Sequence, residues 1–454
     1  MPAGGGTLIG RMGTRVAQRA LRSLREVVRQ ASATALVAAL VPMSLGACSE
    51  DARPTARQRA APTPPTASVS TTDVPMSKTE RPDKPTAGEQ ARLNRDLIDA
   101  AWRNDVRRSR RLIKQGADVN YKDDSEQSAY LIATSEGYFE LLELTLRNGA
   151  YLRSLDRFNG TGLIRAAERG HANIVGRLLQ TGIKVDHVNN LGWTALHEAI
   201  ILGDGSRRYV DTVRLLVSGG ADLKLPPKRD GIAPIRHARS NGHKAIVATL
   251  QNALAASKPD NPSASLLRAA AAGRADAVAA ALRFGADINT RDAAGRTPLL
   301  LAAANDRVSV ARILVGLGAD PDALDDRHDT PWLVTGVTGS VAMAEVLLAA
   351  DPNLGIRNRF GGTSLIPASE RGHVDYVRLV VGTDIDVNHV NDLGWTALLE
   401  AVILGNGSPP YQQIVRTLLD AGADPSIADK NGVTALEHAR NKGHDQIARI
   451  LARR

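Results

Sequence analysis

The segment Asn189–Asp222 recurs, with few changes, as Asn391–Asp424, 202 residues further on. NNLGWTALHEAIILGDGSRRYVDTVRLLVSGGAD in the first copy becomes NDLGWTALLEAVILGNGSPPYQQIVRTLLDAGAD in the second. A chain written twice in this way is assembled from recurring small units, each buried against its neighbours. A shorter period runs inside the longer one. Gly116, Gly149 and Gly182 are 33 residues apart, as are Gly285 and Gly318, Thr161 and Thr194, and Thr297, Thr330, Thr363 and Thr396 in succession. Each unit reads as two short helices closed by a Gly-Ala-Asp-like triplet, whose glycine takes the left-handed conformation that ends a helix. With aromatics at only 3%, the helices must pack through small aliphatic side chains.

The period together with TALHEA (Thr194–Ala199), TPLLLA (Thr297–Ala302) and TPWLVT (Thr330–Thr335) resembles the ankyrin repeat, whose signature is TPLHxA. The threonine caps the first helix and proline is tolerated in its first turn. The resemblance covers about residues 93–454 and implies an all-α ankyrin-repeat solenoid with short hairpin-like fingers. Two tandem arrays are expected, 93–256 with about five repeats and 265–454 with about six, joined by a linker at 257–264 that contains Pro259 and Pro262. Asp351 and Asp384 stand where the offset places Gly149 and Gly182, so those turns should be strained or rebuilt. Pro367 falls within a first helix and should perturb it. The shared insertion, Gly203–Tyr209 and Gly405–Tyr411, should lengthen the connection between paired helices.

The N-terminus reads as an address. Arg11, Arg15, Arg19, Arg22, Arg25 and Arg29 precede an apolar run, Ala33–Leu45, too short to span a bilayer but suited to a signal sequence. Leu45, Gly46, Ala47 and Cys48 resemble the lipobox of bacterial lipoproteins, which implies cleavage after residue 47 and acylation of Cys48, the only cysteine. Localisation follows: exported and lipid-anchored at the extracytoplasmic face of a bacterial membrane. Residues 48–92 are then the lipidated cysteine and a Pro/Thr/Ala-rich tether with little to bury, expected to be disordered. Removing residues 1–47, with six arginines against Glu26, lowers the net charge of +9 to +4. The remaining charge forms no basic stripe, so no nucleic-acid partner is expected.

Catalytic signatures are absent: there is no phosphate-binding glycine loop, HExxH or GxSxG. No catalytic residue, cofactor or metal site is assigned. His171, His243, His373 and His444 share one scaffold position at the start of second helices, while His187 and His389 sit at finger bases; all six read as structural. An enzyme with a site between the arrays, using His187, His389 and nearby carboxylates, is the least supported alternative. Protein binding is the function implied by the resemblance, through finger tips and the concave helix face. Candidate binding residues at the tips are Arg157, Phe158, Leu191 and Trp193, with Arg359, Phe360, Leu393 and Trp395 at matching sites. On the face implied to be concave they are Glu168 and Arg169, and Glu370 and Arg371. Two alternatives stand beside binding: the tips fold back to cover one another, or the arrays act as a spacer or self-associating scaffold. Trp332, in place of the signature leucine, is expected in the core.

Overall fold

The regularly spaced threonines start helices. In the computed structural model, which describes residues 85–226 and 231–454, the hydroxyls of Thr161, Thr297, Thr330 and Thr396 accept from the backbone N–H three residues on, at 3.1–3.4 Å. Such caps satisfy one of the donors a helix leaves free at its start. The described residues belong to one unit, Glu80–Arg454. The expected signal sequence, Cys48 and most of the tether lie outside them.

The first array contains helices α1 (Ala87–Trp102), α2 (Val106–Lys114), α3 (Ala129–Glu136), α4 (Phe139–Arg147), α5 (Gly162–Arg169), α6 (Ala172–Leu179), α7 (Ala195–Ile201), α8 (Arg207–Ser218), α9 (Pro234–Ser240) and α10 (Lys244–Ala255). The second contains α11 (Pro262–Ala271), α12 (Ala275–Arg283), α13 (Pro298–Ala304), α14 (Val308–Gly316), α15 (Pro331–Thr338), α16 (Val341–Leu348), α17 (Leu365–Glu370), α18 (Val374–Val380), α19 (Ala397–Ile403), α20 (Pro409–Asp420), α21 (Ala435–Asn441) and α22 (Asp445–Leu451). Odd-numbered helices pack on odd-numbered neighbours and even on even, giving each array an inner and an outer row. The described residues form an all-helical solenoid whose fingers contribute only two isolated β-bridges, Leu155 with Thr161 and Ala428 with Thr434. No described helix is long and apolar enough to cross a membrane.

Several boundaries differ from expectation. Helix α1 begins at Ala87, inside the expected tether, because Thr86 and Glu89 form a reciprocal capping box. Likewise α11 begins at Pro262, inside the expected linker, where Asn261 caps it through the N–H of Ala264 at 2.9 Å. The inserted residues do not all form a connection: α8 and α20 start within or beside them and are 12 residues long, so part of the insertion is an added helical turn.

Asp351 takes the left-handed conformation at φ 52°, whereas Asp384 is not among the positive-φ residues and its turn is rebuilt. Pro367 shortens α17 to six residues. Its counterpart Arg165 donates its N–H to the Thr161 carbonyl at 3.1 Å, a bond proline cannot make. Trp332 is fully buried, its ring 6.3 Å from that of Tyr376.

The arrays do not continue end to end. Outer helices α6, α8 and α10 of the first pack against α12 and α14, outer helices of the second, and no comparable packing joins α9 to α11. The effect on α8 is visible beside its duplicate. Asp211 and Ser218 of α8 are buried, while the corresponding Gln413 and Asp420 of α20 are exposed. Polar groups taken out of water need partners. Arg214 Nε meets Asp276 Oδ1 at 2.8 Å, and Thr249 donates to the same oxygen at 2.8 Å. Arg283 donates to the Ala221 carbonyl at 2.7 Å. At the closest crossing, a Cβ added to Gly176 in α6 would lie 2.3 Å from the carbonyl oxygen of Gly316 in α14.

Candidate functional site

Each regular finger turns on one side chain. The oxygen of Asp156 accepts from the N–H groups of Phe158 and Gly160, both at 2.8 Å. Asp123, Asp292, Asp325 and Asp429 do the same at their fingers, as do Asn189, Asn358 and Asn391. Anchoring from below leaves the tip side chains free to point away. Phe158 is 55% exposed and Phe360 54%, with the guanidinium groups of Arg157 and Arg359 5.9 and 4.5 Å from the respective ring centres. Such stacking holds a flexible arginine in place and screens part of an apolar ring. Leu191 and Leu393 are also exposed. Trp193 and Trp395 are only half-buried, and Trp395 packs against the core. The tips therefore divide: Arg, Phe and Leu face solvent while the tryptophans lean inward. Adjacent tips are laced together, Asn190 N–H to the Phe158 carbonyl and Asp392 N–H to the Phe360 carbonyl, each at 3.0 Å.

The inner-row candidates are less alike in the two copies. Glu168 pairs with Arg165 at 2.5 Å, and Arg165 also lies 3.3 Å from Asp156. Arg169 reaches Glu136 at 3.1 Å. Glu370 is partly buried and Arg371 exposed, and neither makes an ion pair with a described residue.

Sequence reading missed Glu198 and Glu400. Both sit nine residues after a finger base, a position that faces that base. Where the base is aspartate, the partner can be a cation or a histidine: Asp156 with Arg165, and Asp429 with His438 at 2.9 Å. At Asn189 and Asn391 the partner is glutamate, and the amide donates to it at 2.7 and 2.9 Å. Asparagine keeps the acceptor the turn needs and adds the donor a carboxylate needs. This coupled exchange at a nine-residue spacing was legible in the sequence. Both carboxyls are buried, which lifts them to about 7, and the neighbouring Glu168 and Glu370 add to the rise.

Four of the six histidines bond backbone carbonyls. His171 and His373 bond the carbonyls of Ser135 and Val337 at 3.0 and 3.1 Å. His187 and His389 each bond a carbonyl of the preceding finger, Asn159 at 2.8 Å and Gly361 at 2.6 Å, not the asparagines beside them. A cleft of about 700 Å³ at the junction of the arrays is lined by Arg214, Asn252, Arg274, Asp276 and Phe284, among others. Neither His187 nor His389 lines it.

A family model described as ankyrin repeats (3 copies) matches residues 130–227, 235–325 and 332–429. The putative ankyrin repeat protein YahD of Escherichia coli K12 is 40% identical over 192 residues, 42% of this chain and 96% of YahD. A putative ankyrin repeat protein of fowlpox virus is 30% identical over 35% of this chain and 48% of its own length. The ankyrin repeat and SAM domain-containing protein 6 of mouse is 36% identical over 22% of this chain, but that match spans only 11% of the mouse protein. Among solved structures, an ankyrin repeat domain from Acinetobacter baumannii shares 45% identity over 41% of this chain and 95% of its own, with a TM-score of 0.40.

Proposed function

This chain belongs to the ankyrin-repeat family, whose repeats generally mediate protein–protein interaction, and on that premise we propose a non-enzymatic module that binds partner proteins through its finger tips. The observation that carries the reading is the matched pair of tips, Arg157 with Phe158 and Arg359 with Phe360, each presenting an exposed ring under a stacked guanidinium. Aromatic and arginine side chains are favoured anchors because they offer large contact area for little ordering entropy. Docking through outer helices leaves the fingers and inner rows of both arrays outside that contact. The two arrays can then grip a bivalent partner, raising its effective concentration at the second site. Crosslinking of the full chain to envelope extract should capture a partner that a Phe158→Ala, Phe360→Ala, Leu393→Ala variant of equal thermal stability loses. Undiminished capture by the variant would remove the tips from the interface.

Anchorage is part of the same proposal. Acylation at Cys48 would fix the module to the extracytoplasmic face of a bacterial membrane, since more than one acyl chain makes attachment stable. The full chain should partition into the detergent phase of a phase-separating extraction, and Cys48→Ser should move it to the aqueous phase. Equal partitioning of the two would refute lipid attachment.

A further inference from the structure

No basic stripe is expected from the sequence, yet the outer row of the first array carries one. Helix α2 holds five cations and no carboxylate: Arg107, Arg108, Arg110, Arg111 and Lys114. Arg108 turns onto α1, 3.2 Å from Asp96 and 3.6 Å from Asp99. The other four are exposed and make no ion pair with a described residue. Comparison with the duplicate helix α14 shows a rewritten face, with Arg111 in place of the fully buried Ile313 and Lys114 in place of Gly316, which α6 covers. What the second array buries, the first array charges and leaves open. Between α2 and α4 runs a groove of about 410 Å³, with Arg110, Lys114 and Arg147 as its cations and Ile113 and Phe139 in its apolar lining. Glu143 in the same groove is engaged by Arg177 at 2.5 Å and by Arg147 at 3.7 Å, while Glu140 makes no ion pair with a described residue. The described chain begins at this end of the solenoid. The Pro85 ring lies 3.1 Å from where a Cβ on Gly116 would be, two residues past α2, and Gln90 donates to the Gly116 carbonyl at 2.7 Å.

We propose that the α2 face, with the groove beside it, is a docking surface for the anionic phospholipid headgroups of the membrane to which the chain is anchored. The proposal rests on the membrane location inferred above and adds an orientation to it. Each arginine or lysine close to an anionic lipid surface strengthens adsorption roughly fivefold, and a basic patch reinforces an acyl anchor. Residues 49–84 join Cys48 to the α2 end of the solenoid, so the acyl chains bring this end to the headgroups first. Long arginine and lysine stems let the charges reach phosphates while Ile113 and Phe139 meet the less polar layer beneath. With the outer row of the first array set down in this way, the fingers and inner row face away from the membrane and stay open to a partner.

The test uses the full chain carrying Cys48→Ser, which removes the acylation site and the only thiol, with a fluorophore placed at Gln115→Cys beside α2 or at Ala452→Cys at the far end of the solenoid. Vesicles of phosphatidylcholine, with or without an equal part of phosphatidylglycerol, carry a quencher on their headgroups. Saturable quenching at residue 115 that requires phosphatidylglycerol, exceeds that at residue 452 and is lost in molar salt is expected. Arg107→Gln, Arg110→Gln, Arg111→Gln and Lys114→Gln combined, all at exposed helix positions that glutamine suits, should weaken adsorption about a hundredfold or more. Equal quenching of the two labels, or an unchanged response in the glutamine variant, overturns the proposal by placing adsorption elsewhere in the chain. Tighter binding of polyglutamate or single-stranded DNA than of the vesicles at the same salt overturns the assignment to lipid. Detergent-phase partitioning of the unmodified chain reads acylation separately. A chain that is not acylated but still adsorbs through α2 loses the Cys48 anchor and keeps this surface, and an acylated chain whose α2 ignores the vesicles does the reverse.

Discussion

Gly176→Arg is expected to separate the two arrays while leaving each folded. The α6–α14 crossing has no room for a side chain, since a Cβ at residue 176 would meet the Gly316 carbonyl oxygen at 2.3 Å. Backbone on the far side of the contact cannot swing away as a flexible side chain could. Even alanine tests the balance: it gains about 1 kcal/mol of helix propensity over glycine, but overpacking costs about 1–3 kcal/mol. Arginine adds a charge driven into a packed contact, for a total loss of roughly 3–5 kcal/mol. Small-angle scattering should show a larger radius of gyration, and thermal unfolding should divide into two transitions. The control lies in the duplicate, where the position is Arg378, 52% exposed and paired with Asp375. Arg378→Gly should cost only about 1 kcal/mol of propensity and leave the scattering curve unchanged. An unaltered radius of gyration for Gly176→Arg would show that the crossing does not hold the arrays together.

Stability should fall as pH rises from about 5 to about 8, and Glu198→Gln with Glu400→Gln should largely abolish that fall. Both carboxyls are lifted from the ordinary 4.5 to about 7, first by burial and then by a neighbouring glutamate. The folded state therefore binds protons that the unfolded chain has released between those two values. By linkage the stabilisation is complete below the unfolded pKa and is lost as pH climbs through the folded one. For Glu198 a shift of this size corresponds to about 3 kcal/mol. Glutamine keeps an acceptor for the Asn189 or Asn391 amide and never ionises, so the double variant should match the wild type near pH 5 and exceed it at pH 8. Repeat proteins need not unfold in one step, so the comparison is of urea midpoints across the pH range. Parallel profiles for the two chains would show that these carboxyls do not titrate in the window.

Much of this architecture is readable from spacing. Thr161, Thr297 and their equivalents announce helix starts because a cap is a local device, decided by four or five residues. The perturbation at Pro367 follows from one missing N–H. Contacts between distant segments are harder to read. Nothing within Ala172–Leu179 alone says that its outward face is covered, since an outer helix normally shows that face to water. The signal lies in comparing duplicates: Gly176 against Arg378, Gly316 against Lys114, and Ser218 against Asp420. At the candidate site the tips were legible as apolar outliers, but Glu198 and Glu400 drew no reading. Their meaning depends on Asn189 and Asn391 folding back onto them, which a linear reading registers only as a coupled change nine residues apart.

The docking of the arrays also limits what the chain can become in company. Its two mating faces are different surfaces, α6, α8 and α10 on one side and α12 and α14 on the other, so the contact is head-to-tail. Had both duplicates kept both faces, each molecule would offer a free donor face and a free acceptor face, and such contacts propagate into open fibres. The chain's own duplicates close that route. The surplus donor face carries Arg378, Gln413, Arg416 and Asp420, and the surplus acceptor helix carries Lys114 at the glycine's place, all five exposed. A further contact of the same kind would have to bury these charges, which opposes continuing the series.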